Sequence, residues 1–248
     1  MKNIWKHIII ATCALVVIAY WVAGVIMAHR LVPPPTCNDV TLRILDGAER
    51  QFVSGNELAG LLQRQHLYPM GQDMDMIVSQ DIENAVRKHD MIRTCECHKT
   101  QNGRVIIAVT QRVPLIRVAS VSGDTYLIDT DRKRMPLRAG MQTDALTVTG
   151  NIGERTAKHE ASDITEWLKD DPYWNKYIAR IEVDKNQQVR LIQRSGRANI
   201  LLGDWSEYTT KLNKLRHWYQ GSRGLDVDSL YQCMDVRFKK QVIGIKGI

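Results

Sequence analysis

The residues with the clearest potential for chemistry are the consecutive side chains Cys95, Glu96, Cys97 and His98, whose sulfur and nitrogen atoms are common zinc ligands. A structural zinc site usually has C-x2-C spacing and a second pair of ligands. This segment has C-x-C spacing, and no second pair is evident. Two cysteines that are two residues apart on a strand point to the same face. We therefore predict that Cys95 and Cys97 are core residues and that they bind no metal.

Candidate catalytic groups are also sparse. The sequence contains no G-x-S-x-G, H-E-x-x-H, P-loop or S-x-x-K motif, and the His-Glu pair at 159–160 is followed by Asp163 where a zinc protease needs a second histidine. Two of the carboxylates Asp129, Asp131 and Asp204 could act together as a general acid and a general base. However, an aspartate beside a turn more often accepts hydrogen bonds from backbone amides. We expect no catalytic residue, no cofactor and no enzymatic activity.

The element that most clearly positions the rest of the chain is an N-terminal apolar run. Residues 8–28 contain no charged side chain, and as an α-helix they would span roughly 31 Å, the thickness of a bilayer's hydrocarbon core. Because Lys2 and Lys6 precede the run, the positive-inside tendency places residues 1–7 in the cytoplasm and the bulk of the chain outside. The alternative is a cleaved signal peptide, with a passable site at 22–24 but an unusually long apolar core. We predict an uncleaved single-pass helix in the lipid bilayer.

Charge and cysteine content narrow the range of partners. The chain has 34 basic and 27 acidic residues, a net charge of +7 that falls to +5 when Lys2 and Lys6 are set aside. No block of five or more like charges is present, so we expect no nucleic acid partner. The 5 cysteines are odd in number and scattered, unlike the framework of a disulfide-rich domain.

A short spacer and a small module follow the apolar run. Prolines at 33–35 cannot continue a helix, so residues 29–39 form an extended spacer. Residues 40–113 then predict the order strand, helix, helix, strand, strand, with the first helix starting at a capping box from Ser54 to Glu57. The predicted elements are strands at 40–45, 92–98 and 105–112 and helices at 54–66 and 79–89, with an Asn-Gly hairpin signal before the last strand.

The remaining residues, 114–248, predict an open antiparallel sheet with helices on one side. Three successive strands separated by turn residues should form a meander, and two helices with apolar faces can cover it. Ser206 is the expected N-cap of the second helix. The predicted elements are strands at 177–184, 188–194 and 198–203, helices at 157–169 and 206–219, and a final strand that runs from 230 to 238 and continues into 242–246.

These patterns resemble those of a known family. The element order in 40–113 resembles a POTRA domain, the polypeptide-transport-associated module of outer-membrane assembly and bacterial division proteins. The second module resembles FtsQ/DivIB proteins, in which L-I-D, a proline, L-x-x-x-G, I-x-L-G, K-L and D-L-R-Y follow in that order. Val236 and Phe238 stand where the family usually has Leu and Tyr. The matching segments are Tyr126–Asp129, Met135–Leu137, Leu146–Gly150, Asn199–Gly203, Lys211–Leu215 and Asp235–Phe238.

The resemblance implies a membrane-anchored α+β protein with one transmembrane helix, a POTRA domain and an antiparallel β domain with flanking helices. It implies a bitopic, non-enzymatic scaffold of the inner (cytoplasmic) membrane, enriched at the division septum, that links early and late division proteins. The implied partners are a coiled-coil pair of FtsB/DivIC-like and FtsL-like membrane proteins and other divisome components. A second possibility is a POTRA-containing envelope chaperone-like or export module, although no series of strands for an outer-membrane barrel follows.

The last strand determines how such a partner would bind. A strand at a sheet edge exposes unpaired N–H and C=O groups that an incoming strand can occupy. The other interpretation is that Phe238, Val242 and Ile245 fill the core, while Lys239 and Lys240 protect the edge. The family resemblance favours a binding edge. Its candidate residues are Arg237, Phe238, Lys239, Val242, Gly244 and Ile245.

Overall fold

The N-terminal helix is long enough to cross a membrane. The structure is a computed structural model that describes residues 2–31, 35–194, 198–222 and 230–246, so the spacer prolines Pro33 and Pro34 lie outside the described residues. Helix α1 (Lys2–Leu31) contains the predicted apolar run and extends beyond both of its ends. Within it, Ile10–Met27 has a mean hydropathy of 2.4, and none of this segment is buried in the protein. Helix α1 is therefore apolar and long enough to span a bilayer once.

The chain forms two compact units. The first comprises Met1–Leu45, Ser54–Lys88 and Thr94–Val109, and the second comprises Asp46–Val53, His89–Arg93 and Thr110–Ile248. Three short segments of the region predicted as the first module, residues 46–53, 89–93 and 110–113, thus belong to the second unit.

The region after the spacer has the element order predicted for a POTRA domain. The elements are β1 (Asp39–Ile44), α2 (Gly55–Arg64), α3 (Ser79–Arg87), β2 (Ile92–Lys99) and β3 (Arg104–Gln111). The strands form one sheet in the order β1-β3-β2, with β1 parallel to β3. The capping prediction is confirmed, because the Ser54 hydroxyl accepts a hydrogen bond from the Glu57 N–H at 3.2 Å. Leu58 and Leu62 of α2 are fully buried, which fixes the apolar face of that helix in the core.

The second unit is built on one large sheet. Its strands are β4 (Pro114–Ser120), β5 (Thr125–Asp129), β6 (Arg134–Pro136), β7 (Leu146–Gly150), β8 (Ile178–Val183), β9 (Val189–Gln193), β10 (Asn199–Gly203), β11 (Cys233–Asp235) and β12 (Ile243–Ile245). Its helices are α4 (Glu154–Lys158), α5 (Glu160–Asp170), α6 (Trp174–Tyr177) and α7 (Tyr208–Gly221). The strand order is β12-β11-β10-β9-β8-β7-β4-β5-β6.

The predicted meander β8-β9-β10 is confirmed, but the sheet is mixed rather than antiparallel throughout. Strand β7 is parallel to both β4 and β8, and β11 is parallel to β10. Parallel neighbours need a crossover connection. Helices α4–α6 connect β7 to β8, and α7 connects β10 to β11. The helices predicted as a cover for the sheet therefore also form the crossovers of the β7–β8 and β10–β11 pairs, whereas β5 and β6 form the connection from β4 to β7.

A continuous row of buried side chains crosses the sheet and forms the centre of the core. Each residue lies directly opposite the next, so the row is one residue from each of seven neighbouring strands. The alternate residues, such as Arg190 opposite Glu182, point to the other face. The row consists of Met234, Ile200, Leu191, Ile181, Val148, Val118 and Tyr126.

Three element boundaries differ from the predictions. The helix predicted over 157–169 is divided into α4 and α5 because His159 leaves helical geometry, with φ −109° and ψ −87°. Helix α7 does not use Ser206 as its N-cap. Glu207, with a left-handed φ of 48°, precedes the helix, and the Ser206 hydroxyl donates to Asp204 at 2.6 Å. The predicted final strand is a hairpin, because residues 239–240 form a turn between β11 and β12.

Candidate partner-binding edge

Strand β12 lies at one end of the nine-strand sheet. Within the described residues it pairs only with β11, which in turn lies parallel to β10. The hairpin is joined to β10 by hydrogen bonds from the Val236 N–H to the Leu201 carbonyl at 3.1 Å and from the Asn199 N–H to the Gln232 carbonyl at 2.9 Å. The outer side of β12 therefore presents backbone donors and acceptors with no strand beside them in the described part of the chain.

The two faces of β12 have different surroundings. Gly244 lies opposite Met234, at the end of the buried row, and a Cβ placed on Gly244 would come within 2.5 Å of two ring carbons of Tyr231. Glycine is needed here because the ring occupies the space of a side chain. Ile243 and Ile245 point to the other face, where they are 39% and 44% exposed. The edge strand thus packs one face against Tyr231 and presents two isoleucines to solvent.

The start of the β11–β12 turn is fixed by Arg237. Its Nη2 and Nε donate to the Asp235 carboxylate at 2.7 and 3.0 Å, and its backbone N–H donates to the same group at 3.1 Å. Burial alone would raise the pKa of Asp235, but these hydrogen bonds hold that pKa below its ordinary value. The Arg237 stem also lies against Gly203, where a Cβ would come within 2.8 Å of the Arg237 Cγ. Arg237 is therefore held on the ends of β10 and β11.

Helix α7 holds the next part of the same turn. The Lys214 ammonium donates to the carbonyl of Val236 at 3.1 Å and to the carbonyl of Phe238. Burial and the nearby charge of Lys211 lower the pKa of Lys214. The Phe238 side chain itself is 43% exposed. The backbone of the turn is thus anchored while the aromatic ring is presented to solvent.

The structure places the predicted site residues at three positions around the hairpin. Arg237, Phe238 and Lys239 lie in the turn, Gly244 and Ile245 lie in β12, and Val242 precedes β12 with its side chain against the core. Two of the apolar residues that could have filled the core, Phe238 and Ile245, are instead substantially exposed.

Sequence reasoning missed three residues of this site. Ile243 could have been found, because it is two residues from Ile245 and must share its face in a strand. Lys214 and Tyr231 carry no sequence signal for their roles. The Lys214 contact with Phe238 arises only when α7 packs against the hairpin, and the Tyr231 contact with Gly244 arises only when the hairpin forms.

The other residues considered for chemistry have structural roles. Cys95 and Cys97 are both buried on one face of β2, as predicted, and burial together with the neighbouring Cys97 raises the pKa of Cys95 to about 12. His98 points outwards from the same strand and lies 3.5 Å from the exposed carboxylate of Glu96. The four side chains therefore face opposite sides of the strand and do not converge on one point.

The aspartates considered as acid and base bind backbone amides and cations. Asp129 is buried, accepts a hydrogen bond from Arg112 at 2.7 Å, and accepts others from the backbone N–H groups of Asp131 and Lys133. Asp204 accepts a hydrogen bond from Lys211 at 2.7 Å. The prediction that these aspartates accept from backbone amides is confirmed for Asp129 and for Asp204, which also accepts from the Ser206 N–H at 3.0 Å. Asp131 instead forms an ion pair with Arg93 at 2.7 Å.

Comparison with known proteins agrees with this architecture. A family model described as "FtsQ/DivIB, C-terminal related" matches residues 113–244, which is more than half of the chain. A second family model, described as "POTRA-like domain", matches residues 35–110. A search of the curated proteins finds no match to this chain. Together with the apolar helix α1, the POTRA element order and the mixed sheet with its flanking helices, these matches show that the chain belongs to the FtsQ/DivIB family of cell-division proteins.

Proposed function

We propose that this chain is a non-enzymatic scaffold of the division septum that binds a coiled-coil pair of FtsB/DivIC-like and FtsL-like membrane proteins through β12. The division role rests on family membership. The binding mode rests on one observation, which is that an edge strand with two exposed isoleucines lies beside an anchored turn that exposes an aromatic ring. A partner strand would add main-chain hydrogen bonds beside β12, and Phe238, Ile243 and Ile245 would supply apolar contacts.

Two of the other three sheet edges among the described residues, β2 and β6, are less suited to strand addition. At the β2 edge of the first unit, the Glu83 carboxylate accepts a hydrogen bond from the Cys97 N–H at 2.9 Å, so one outward donor is already used. At the far edge of the large sheet, β6 ends in Pro136, which has no N–H to donate. These features favour β12 over the β2 and β6 edges, and they argue against a chaperone-like role in which the β2 edge captures extended chains.

The proposal also places the N-terminus in the cytoplasm and the folded units outside it. The basis is the pair Lys2 and Lys6 ahead of the apolar segment of α1. A reporter that is active only in the cytoplasm, fused behind residue 248, should stay inactive. Activity of that reporter would contradict the orientation, and a mature protein that begins near residue 29 would contradict the uncleaved anchor.

Site-specific photo-crosslinking in dividing cells tests the binding edge. A photoreactive residue at Ile245 should crosslink to a small single-pass membrane protein with a coiled-coil segment. The matched control is Val121, which is 75% exposed and follows β4. Since β4 is six strands from β12 in the sheet order, the control lies about 29 Å away. An absence of crosslinks at Ile245, or the same products from both positions, would contradict the proposal.

A further inference from the structure

A second exposed apolar surface lies beside the segment that follows α1. The loop of residues 69–78 pairs with residues 35–37 through a bridge between Thr36 and Asp73. Backbone hydrogen bonds reinforce this pairing, from the Met74 N–H to the Pro35 carbonyl at 2.9 Å and from the Gly71 N–H to the Cys37 carbonyl at 2.8 Å. The loop is therefore fixed to the part of the chain that emerges from the membrane helix.

The covalent chain keeps this loop near the bilayer. Only three residues separate Leu31, the last residue of α1, from Pro35. Even a fully extended chain therefore places Pro35 no more than about 14 Å from the end of α1. Helix α1 has 30 residues and is about 45 Å long, which equals the thickness of a bilayer with its headgroups. The loop is thus tethered within reach of the headgroup region.

The side chains of the loop are divided between the core and solvent. Met74 and Ile77 are buried, and the Lys99 ammonium holds their carbonyls at 2.8 and 3.0 Å. Met76 and Val78, by contrast, are 75% and 53% exposed, and Met70 of the same loop is 46% exposed. The loop contains no lysine or arginine but two aspartates, the half-buried Asp73 and the exposed Asp75, so its outward surface combines these apolar side chains with negative rather than positive charge.

We propose that Met70, Met76 and Val78 insert into the interfacial region of the bilayer that α1 spans. The membrane is the expected occupant because the tether holds the loop close to it and because flexible methionine side chains adapt to irregular apolar surroundings. The contact rests on the membrane anchor and does not depend on partner binding at β12. It gives the first unit a second attachment to the membrane besides α1.

Fluorescence quenching in nanodiscs tests this contact on the full chain. An environment-sensitive fluorophore is attached to Met76→Cys or, separately, Met70→Cys, after Cys13→Ala and Cys233→Ala replacements. The remaining thiols Cys37, Cys95 and Cys97 are only 2%, 5% and 6% exposed and should not be labelled in the folded protein. The nanodiscs consist of phosphatidylcholine, with or without lipids that carry a nitroxide on the headgroup.

Leu45 is the matched control position. It is 66% exposed and belongs to the same unit, but it follows the end of β1, about 20 Å from the start of that strand, which comes shortly after the residues that pair with the loop. The labels at 70 and 76 should lose most of their fluorescence when nitroxide lipids are present, at low and at high salt, while the label at Leu45→Cys should lose little. Equal quenching at all three positions, or none at 70 and 76, would overturn the proposal. Matching thermal melts of the labelled variants confirm that each is folded.

Discussion

Replacement of Gly244 by alanine should displace the edge strand without unfolding the rest of the second unit. The added Cβ would lie 2.5 Å from the Cδ1 and Cε1 atoms of Tyr231, whereas ordinary contacts between carbons begin near 3.4 Å. The strand or the ring must therefore move by about 1 Å, and overpacking of this kind usually costs 1–3 kcal/mol, so we expect about 2 kcal/mol here.

This free-energy cost should reduce the fraction of molecules in which the β11–β12 hairpin is docked, and it should weaken partner binding. A penalty of about 2 kcal/mol changes the equilibrium between the docked and displaced hairpin by about 30-fold. If the partner binds only the docked strand, its affinity falls by up to the same factor, depending on how firmly the hairpin is docked in the wild type. Hydrogen exchange at the amides of Ile243–Ile245 measures the displacement directly, and titration with the partner measures its effect.

A double-mutant cycle isolates the cause. Removing the ring with Tyr231→Ala should make Gly244→Ala nearly neutral, because the added methyl then has space. Gly153→Ala is the matched control, since no atom lies within 4 Å of a Cβ placed there. Faster exchange in Gly244→Ala that persists unchanged in the Tyr231→Ala background would refute the packing argument, as would wild-type exchange in the single variant.

Three further variants test other contacts. Arg112→Ala should lower the free energy of unfolding in urea by about 3–5 kcal/mol, because it leaves the buried Asp129 carboxylate without its cation 2.7 Å away. Hydrogen bonds, chiefly from Lys211, lower the pKa of Asp204 from 3.8 to about 2, so wild-type stability should decrease as the pH falls through this range. Thermal melts of Asp204→Asn should show a weaker pH dependence there. Lys214→Met should weaken partner binding about tenfold in a competition assay, since it releases two carbonyls of the turn.

Local sequence signals were sufficient where neighbouring residues determine the structure. The capping box at Ser54 correctly located the start of α2. The Asn102-Gly103 pair correctly located the β2–β3 hairpin, where Gly103 has a φ of 73° that few other residues adopt. The burial of both Cys95 and Cys97, with the exposed Glu96 between them, likewise followed from strand geometry.

Features that depend on distant packing could not be predicted in this way. The parallel pairing of β4 with β7 joins strands separated by the β5–β6 hairpin, and no local pattern encodes it. Strands β11 and β12 have three residues each, too few for alternation to distinguish a hairpin from one long strand. Glu207 displaces the start of α7 because a non-glycine residue adopts a left-handed conformation there, which its residue type does not favour.

The binding of a coiled-coil partner at β12 is tested most directly by affinity measurements on the full chain in nanodiscs. The ligand is the extracytoplasmic segment of the same organism's FtsB/DivIC-like protein. Phe238→Glu and Ile245→Glu should each weaken binding by about 30-fold, since a central apolar contact is typically worth about 2 kcal/mol or more, while the distant Val121→Glu keeps wild-type affinity. All three should retain the wild-type unfolding midpoint because each native side chain is at least 43% exposed. Wild-type affinity in both edge variants, or equal losses in all three, would contradict binding at β12.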